Sequence, residues 1–143
     1  MNYFDTSAFI KRYVDEPGSD SVARLLGTEA MAATSVVAYA EIHAGLARKF
    51  RDRAMTASDH RRTARTVDAD WRGLLRVGVT ARVLALVPAL VRRHPLRGFD
   101  AIHLASAMRL RSELAEAVCL VAADERLLIA AEREHLTPVD VSS

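Results

Sequence analysis

Residues 117–123 read Ala-Val-Cys-Leu-Val-Ala-Ala, a run without a charged or strongly polar side chain that stops at Asp124. A continuous apolar run of this length, with no alternation, predicts a strand covered on both faces. Such strands belong to parallel sheets, because crossover helices cover both sides. Met1–Asp5 is a second short apolar and aromatic run that ends on an aspartate. Met31–Thr34 and Leu74–Val79 predict further strands. Leu136–Val141 predicts an edge strand, since Pro138 lacks the N–H that a central strand donates.

Helical patterns fill the intervals. Thr6-Ser7-Ala8 opens a helix through about Tyr13, with hydroxyls near its N-cap. After the turn Glu16-Pro17-Gly18, Ser19–Leu26 forms a second helix, ended by Gly27. From Val36 to Phe50 the residues Tyr39, Ile42, Leu46 and Phe50 make one apolar stripe. Ser58 or Asp59 caps a helix to about Arg72, with Ala64, Val67 and Trp71 inward. Val83, Leu86, Val87 and Leu90 mark the next, which Pro88 should kink or end early. Asp100 starts another, with Ala101, Leu104, Ala105 and Met108 inward; Asp124 begins the last, with Leu127, Leu128 and Ala131. Strands alternating with helices predict one three-layer α/β/α domain over residues 1–143, with a central, mainly parallel sheet.

Composition narrows the class. Half of the 143 residues are hydrophobic, enough to build a core. No apolar run approaches the roughly 20 residues that span a bilayer, and Met1–Asp5 lacks the basic start of a secretion signal. Cys119 is the only cysteine, which excludes an internal disulfide and a cysteine-rich zinc site. Its place in the apolar run suits a small core residue. The expectation is a soluble cytoplasmic protein without a membrane partner. Net charge is +2, and Lys11 and Lys49 are the only lysines among the basic residues. Arginine forks onto phosphate better than lysine does. Arg61, Arg62 and Arg65, followed by Arg72 and Arg76, line the outer side of the helix near 58–72 and are candidates for RNA contact, although such a face is more often simply solvated.

In parallel α/β sheets, ligands bind beyond the carboxyl ends of the strands. Asp5 and Asp124 both close a predicted strand there. Asp100 heads a helix after a loop, and Glu41 lies on the second turn of the helix that follows a strand. Around Glu41 the residues Ala38, Ala44 and Gly45 are small, leaving room for a ligand. Four carboxylates brought together repel one another, and one takes up a proton unless a cation compensates. Hard oxygen donors suit Mg²⁺ or Mn²⁺, as one ion or two. Such an ion lowers the pKa of a bound water and stabilises charge on a phosphate, so no nucleophilic side chain is needed. Plainer roles stand beside these. Asp100 and Asp124 suit N-caps, Glu41 suits a solvated helix, and Thr6 and Ser35 suit caps. Thr6, Ser7 and Ser35 also suit the outer shell of a metal. His103, one turn from Asp100, suits either a substrate contact or a structural histidine. His43, His60, His94 and His135 show no ligand spacing.

The same residues resemble a family. Asp5-Thr6-Ser7-Ala8 after a short strand resembles the opening of PIN-domain nucleases. Ser35 followed by Ala40-Glu41 resembles their second acidic motif. Arg97-Gly98-Phe99-Asp100-Ala101-Ile102-His103-Leu104-Ala105 is similar to their third, in the form found in VapC-type toxins. Ala122-Ala123-Asp124-Glu125-Arg126-Leu127-Leu128 resembles the fourth. The motifs match in order along nearly the whole chain. The resemblance implies a PIN fold, Mg²⁺ or Mn²⁺ dependence, endonucleolytic RNA cleavage, a homodimer and a cognate antitoxin. It makes Asp5, Glu41, Asp100 and Asp124 the metal-site acids, with Ser7 in support, while Arg97 joins the arginines as a candidate RNA contact. Ala123 departs from the Thr or Ser common in the family, removing a hydroxyl but no acid.

Two rivals compete. A phosphoacceptor receiver domain needs a late lysine, and none follows Lys49. A catalytically silent PIN-like binding module is the second; the presence of all four acids argues against it.

Overall fold

In the computed structural model, which describes residues 1–28 and 31–143, five strands join into one sheet in which every described pairing is parallel. The strands are β1 (Asn2–Phe4), β2 (Ala32–Ser35), β3 (Leu75–Val77), β4 (Cys119–Ala122) and β5 (Thr137–Asp140), in the order β3-β2-β1-β4-β5. The helices are α1 (Thr6–Phe9), which runs into a 3₁₀ turn at Ile10–Arg12, α2 (Ser19–Leu26), α3 (Val37–Arg51), α4 (Ala57–Trp71), α5 (Ala81–Leu84), α6 (Val87–Arg93), α7 (Gly98–Leu114) and α8 (Glu125–Arg133).

The two-residue period of a strand divides the core. Tyr3 and Leu120 face one side, where Leu104 of α7 and Leu127 of α8 cover them. Phe4 and Val121 face the other, against Phe9, Ile42 of α3 and Val67 of α4. The result is the expected three layers. Successive strands step outward from β1 through β2 to β3, then return to its other side with β4 and β5. The reversal falls between β1 and β4, where a crevice opens at the carboxyl edge of such sheets. Pro138 sits on edge strand β5, where its missing N–H is tolerated. Gly18 adopts φ 92°, and a Cβ there would lie 1.8 Å from the Val141 carbonyl oxygen, so the Glu16-Pro17-Gly18 turn accepts only glycine.

Several local expectations are corrected. Residues 83–90 do not form one kinked helix: α5 ends at Leu84, and Pro88 lies in the first turn of α6, where the absent N–H has no intrahelical partner to lose. The cap of α4 is Thr56, which accepts from the Asp59 N–H at 3.0 Å, not Ser58 or Asp59. Arg76 belongs to β3 and leaves the helical arginine face. On α3 the buried residues are Ala38, Ile42 and Leu46. Tyr39 and Phe50 are largely exposed and pack on Trp71 and His60 instead. Cys119 is only partly buried, at the start of β4.

Candidate active site

Asp5 leaves β1 on the same face as Tyr3 and is 3 % exposed. Its backbone N–H continues the ladder to the Val121 carbonyl at 3.1 Å, which fixes the residue against β4. The Ser7 hydroxyl donates to the Asp5 carboxylate at 2.8 Å and 2.9 Å, and the Ala8 N–H donates to Oδ1 at 2.9 Å. Asp5 is therefore the N-cap of α1. Burial pushes its pKa up, against the nearby His103 and the Ser7 and Ala8 hydrogen bonds, which favour the charge. Ser7 has a second role, since its oxygen accepts from the Ala123 N–H at 2.9 Å. One serine thus ties Asp5 to the residue before Asp124.

Glu41 projects from α3 towards α1 and α7. The Thr6 hydroxyl donates to Oε1 at 2.6 Å, and His103 Nε2 reaches the same oxygen at 2.9 Å. Burial raises the Glu41 pKa, but the hydrogen bonds from His103 and Thr6 outweigh it and hold the group below its ordinary value. Thr6 is consequently not a helix cap. His103 is 2 % exposed, with both ring nitrogens engaged by protein: Nδ1 meets the Tyr3 hydroxyl at 2.9 Å, and Nε2 also lies 3.1 Å from Thr6 Oγ1. That burial fits the structural histidine of the two alternatives. Tyr3 is fully buried, which raises its phenol pKa well above the ordinary value.

Asp100 and Asp124 are held locally. Asp100 is the third residue of α7, not its cap; its Oδ2 accepts from the Arg97 N–H at 3.3 Å. Burial and the neighbouring Asp124 charge raise its pKa, against the Arg97 N–H and the charges of His103 and Arg97. Asp124 caps α8 as expected, with Oδ1 accepting from the Leu127 N–H at 3.0 Å. Glu41 is hydrogen-bonded to His103, which also lies near Asp5 and Asp100, and Asp100 lies beside Asp124. Among the described residues no three His, Cys, Asp or Glu side chains are arranged to hold one ion together. The expected four-carboxylate cluster is not preformed.

Other candidates sort plainly. Ser35 ends β2 and is not the cap of α3, which is Val36; its hydroxyl accepts from the Val37 N–H at 3.3 Å. Gly45 is small for packing: a Cβ there would lie 2.7 Å from Ile10 Cδ1, so the small neighbours of Glu41 do not simply leave space for a ligand. Arg61, Arg62 and Arg65 are exposed on α4; Arg62 pairs with Asp59, and the described hydrogen bonds and ion pairs link none of the three to the acids. The largest described cavity, about 540 Å³, lies between Phe9, Leu26, Met31 and Leu74 and contains none of the four acids. Tyr3 is the contributor that sequence reasoning missed; its signal was the two-residue period that puts it on the Asp5 face.

The PIN domain model matches residues 3–133, a span that includes all four acids. The chain belongs to the PIN-domain family. A relative named Ribonuclease VapC45, from Mycobacterium tuberculosis (strain CDC 1551 / Oshkosh), is 39 % identical over 106 residues, covering 74 % of each chain. Ribonuclease VapC46, from M. tuberculosis (strain ATCC 25618 / H37Rv), is 38 % identical over 136 residues, 91 % of this chain and 89 % of the relative. A chain of a toxin–antitoxin complex from Klebsiella pneumoniae has the same fold, with a TM-score of 0.64 at 18 % identity over 87 % of both chains. The PIN-type architecture expected from the sequence is therefore the one observed.

Proposed function

We propose that this chain is a metal-dependent endoribonuclease and the toxin of a toxin–antitoxin pair, neutralised by a cognate antitoxin. The observation that carries the reading is the placement of Asp5 and Asp124 on either side of the strand-order reversal of a PIN-domain sheet, with Asp100 beside Asp124. The names of the VapC relatives support RNA as substrate. The toxin–antitoxin complex of K. pneumoniae supports a protein partner. A homodimer and a cytoplasmic location complete the proposal; no helix is long and apolar enough to cross a membrane.

The donor set fits Mg²⁺ or Mn²⁺. All candidate ligands are carboxylate oxygens, and Mg²⁺ takes only one or two of these beside its waters, so the absence of a closed cage is no obstacle. Burial raises the pKa of Asp5 and of Asp100, which the Asp124 charge raises further, and a cation bound beside them would favour their charged forms. Asp5, Asp100 and Asp124 would hold the ion, with Glu41 completing the acidic edge. When bound, a divalent ion supplies an activated water and an electrostatic clamp on the phosphate. Ser7 and the Ala8 N–H keep Asp5 ionised and aimed, while the cap bonds fix Asp100 and Asp124 at helix starts, where the dipole favours negative charge. Arg97, exposed at the start of α7 beside Asp100, is placed to meet a substrate phosphate, and Arg61, Arg62 and Arg65 offer a weaker outer contact. The test is incubation of the purified chain with single-stranded RNA. Cleavage in Mn²⁺ that stops with EDTA is expected; RNA bound but left intact would favour a silent PIN-like module.

A further inference from the structure

We infer that Tyr3 and His103 are positioning residues that hold Glu41 by one carboxylate oxygen and so present its other oxygen to the metal and substrate. The inference rests on the reading of this edge as a metal-dependent nuclease site. Oε1 of Glu41 takes both the Thr6 hydroxyl and His103 Nε2, whereas Oε2 has no described hydrogen-bond partner. The Glu41 side chain keeps 30 % of its surface exposed, while the imidazole that grips it is 2 % exposed. A carboxylate only accepts, so Nε2 must carry the hydrogen that reaches Glu41. Nδ1 of a neutral ring is then an acceptor, and the Tyr3 hydroxyl, 2.9 Å away, is its donor. With the ring neutral, this arrangement satisfies the contacts of Tyr3 with His103, His103 with Glu41 and Thr6 with Glu41.

The clamp draws one residue each from β1, α1, α3 and α7. A free glutamate on a helix surface samples many rotamers, and ordering it on metal binding costs conformational entropy. Here that ordering is present beforehand. Carboxylate ligands and their hydrogen-bonding partners commonly work as a unit in metal sites. His103 thus acts through Glu41 and touches neither metal nor substrate.

The test is calorimetric titration of the full chain with Mn²⁺ alone, with the circular dichroism of each variant checked. His103→Leu should weaken Mn²⁺ binding by at least about tenfold, the lower end of the range for partners of metal ligands. His103→Gln, whose amide nitrogen reaches near the Nε2 position, should recover most of that loss. Tyr3→Phe keeps the ring packing and removes only the hydroxyl, and should weaken binding roughly fivefold. In a Glu41→Ala background His103→Leu should add nothing, because both changes remove the same interaction. Nitrogen NMR should find the Nε2–H tautomer of His103 in the native chain, with that preference relaxed in Tyr3→Phe. Native affinity in both His103→Leu and Tyr3→Phe, with Glu41→Ala weakened, would overturn the clamp and leave the nuclease reading intact. A His103→Leu loss that persists undiminished in the Glu41→Ala background would overturn it too. Failure of the native chain to bind Mn²⁺ would remove the nuclease reading and the clamp with it. Should His103→Leu not fold, Tyr3→Phe and His103→Gln decide the matter.

Discussion

Glu41 and the three aspartates of the acidic edge are held by different means. Glu41 is gripped by residues far apart in sequence, Thr6 and the Tyr3-backed His103, whereas the Asp5 carboxylate is held by its own helix start, through the Ser7 hydroxyl and the Ala8 N–H, with Ser7 also tied to Ala123. Asp100 and Asp124 are held by N–H groups three residues away on their own helices. Glu41 is set by tertiary packing, the aspartates by helix starts. Truncating a capping aspartate should therefore cost helix stability as well as chemistry, whereas an isosteric amide that keeps the cap bonds should cost chemistry alone.

The largest effect belongs to Asp5. Asp5→Asn should lower metal-dependent RNA cleavage by at least about 100-fold, the upper end for losing even an outer partner of a metal ligand. Its circular dichroism should stay native, since an amide oxygen still accepts from Ser7 and Ala8. Next comes the metal itself. Mn²⁺ at about 100 times its Kd should stabilise the native chain by roughly 2.7 kcal/mol, read as a rise in Tm, and Asp5→Asn should lose that rise.

Asp124 separates the two roles. Asp124→Ala should lower stability by about 1 kcal/mol through loss of the α8 cap, whereas Asp124→Asn should keep the cap and lose cleavage. Equal Tm values for the two variants would erase the contrast.

The pH dependence should differ in sign between Glu41 and the aspartates Asp5 and Asp100. Glu41 has a lowered pKa, so its contribution to stability is present above its ordinary 4.5 and fades as pH falls through the folded-state value. Glu41→Gln should then be less stable than the native chain at pH 7, the gap closing in acid. Asp100 has a raised pKa, so its charge opposes folding increasingly as pH rises from 3.8 through the folded-state value. Asp100→Asn should be slightly more stable at pH 7, by a small margin because solvent screens a half-buried group. Denaturant titrations at pH 3 and pH 7 check both. The smallest effect is at the rim: replacing Arg61, Arg62 and Arg65 with alanine should reduce the slope of log affinity against log salt by up to roughly 2 on single-stranded RNA.

What the sequence made legible follows the same division. The Asp124 cap, the Ser19–Leu26 helix, the covered strand before Asp124 and the Pro138 edge strand were all readable, because each is a local pattern or the period of one element. Asp5 and Asp124 were readable from strand ends, Asp100 from a helix start and Glu41 from the helix that follows a strand. The role of Thr6 was not, since its hydroxyl was expected at a cap or near a metal and instead reaches an acid on another helix. For His103 the sequence left a substrate contact and a structural histidine open, and its burial against Tyr3 fits the second. Gly45 read as space for a ligand because Ile10 is distant in sequence.

A single divalent ion at this edge would draw on Asp5 and Asp100 together, although no three ligating side chains are gathered among the described residues. Calorimetric Mn²⁺ titration of the native chain, Asp5→Asn and Asp100→Asn measures this. Saturable binding that each substitution weakens by at least about tenfold is expected. Native affinity in either variant would exclude a shared ion.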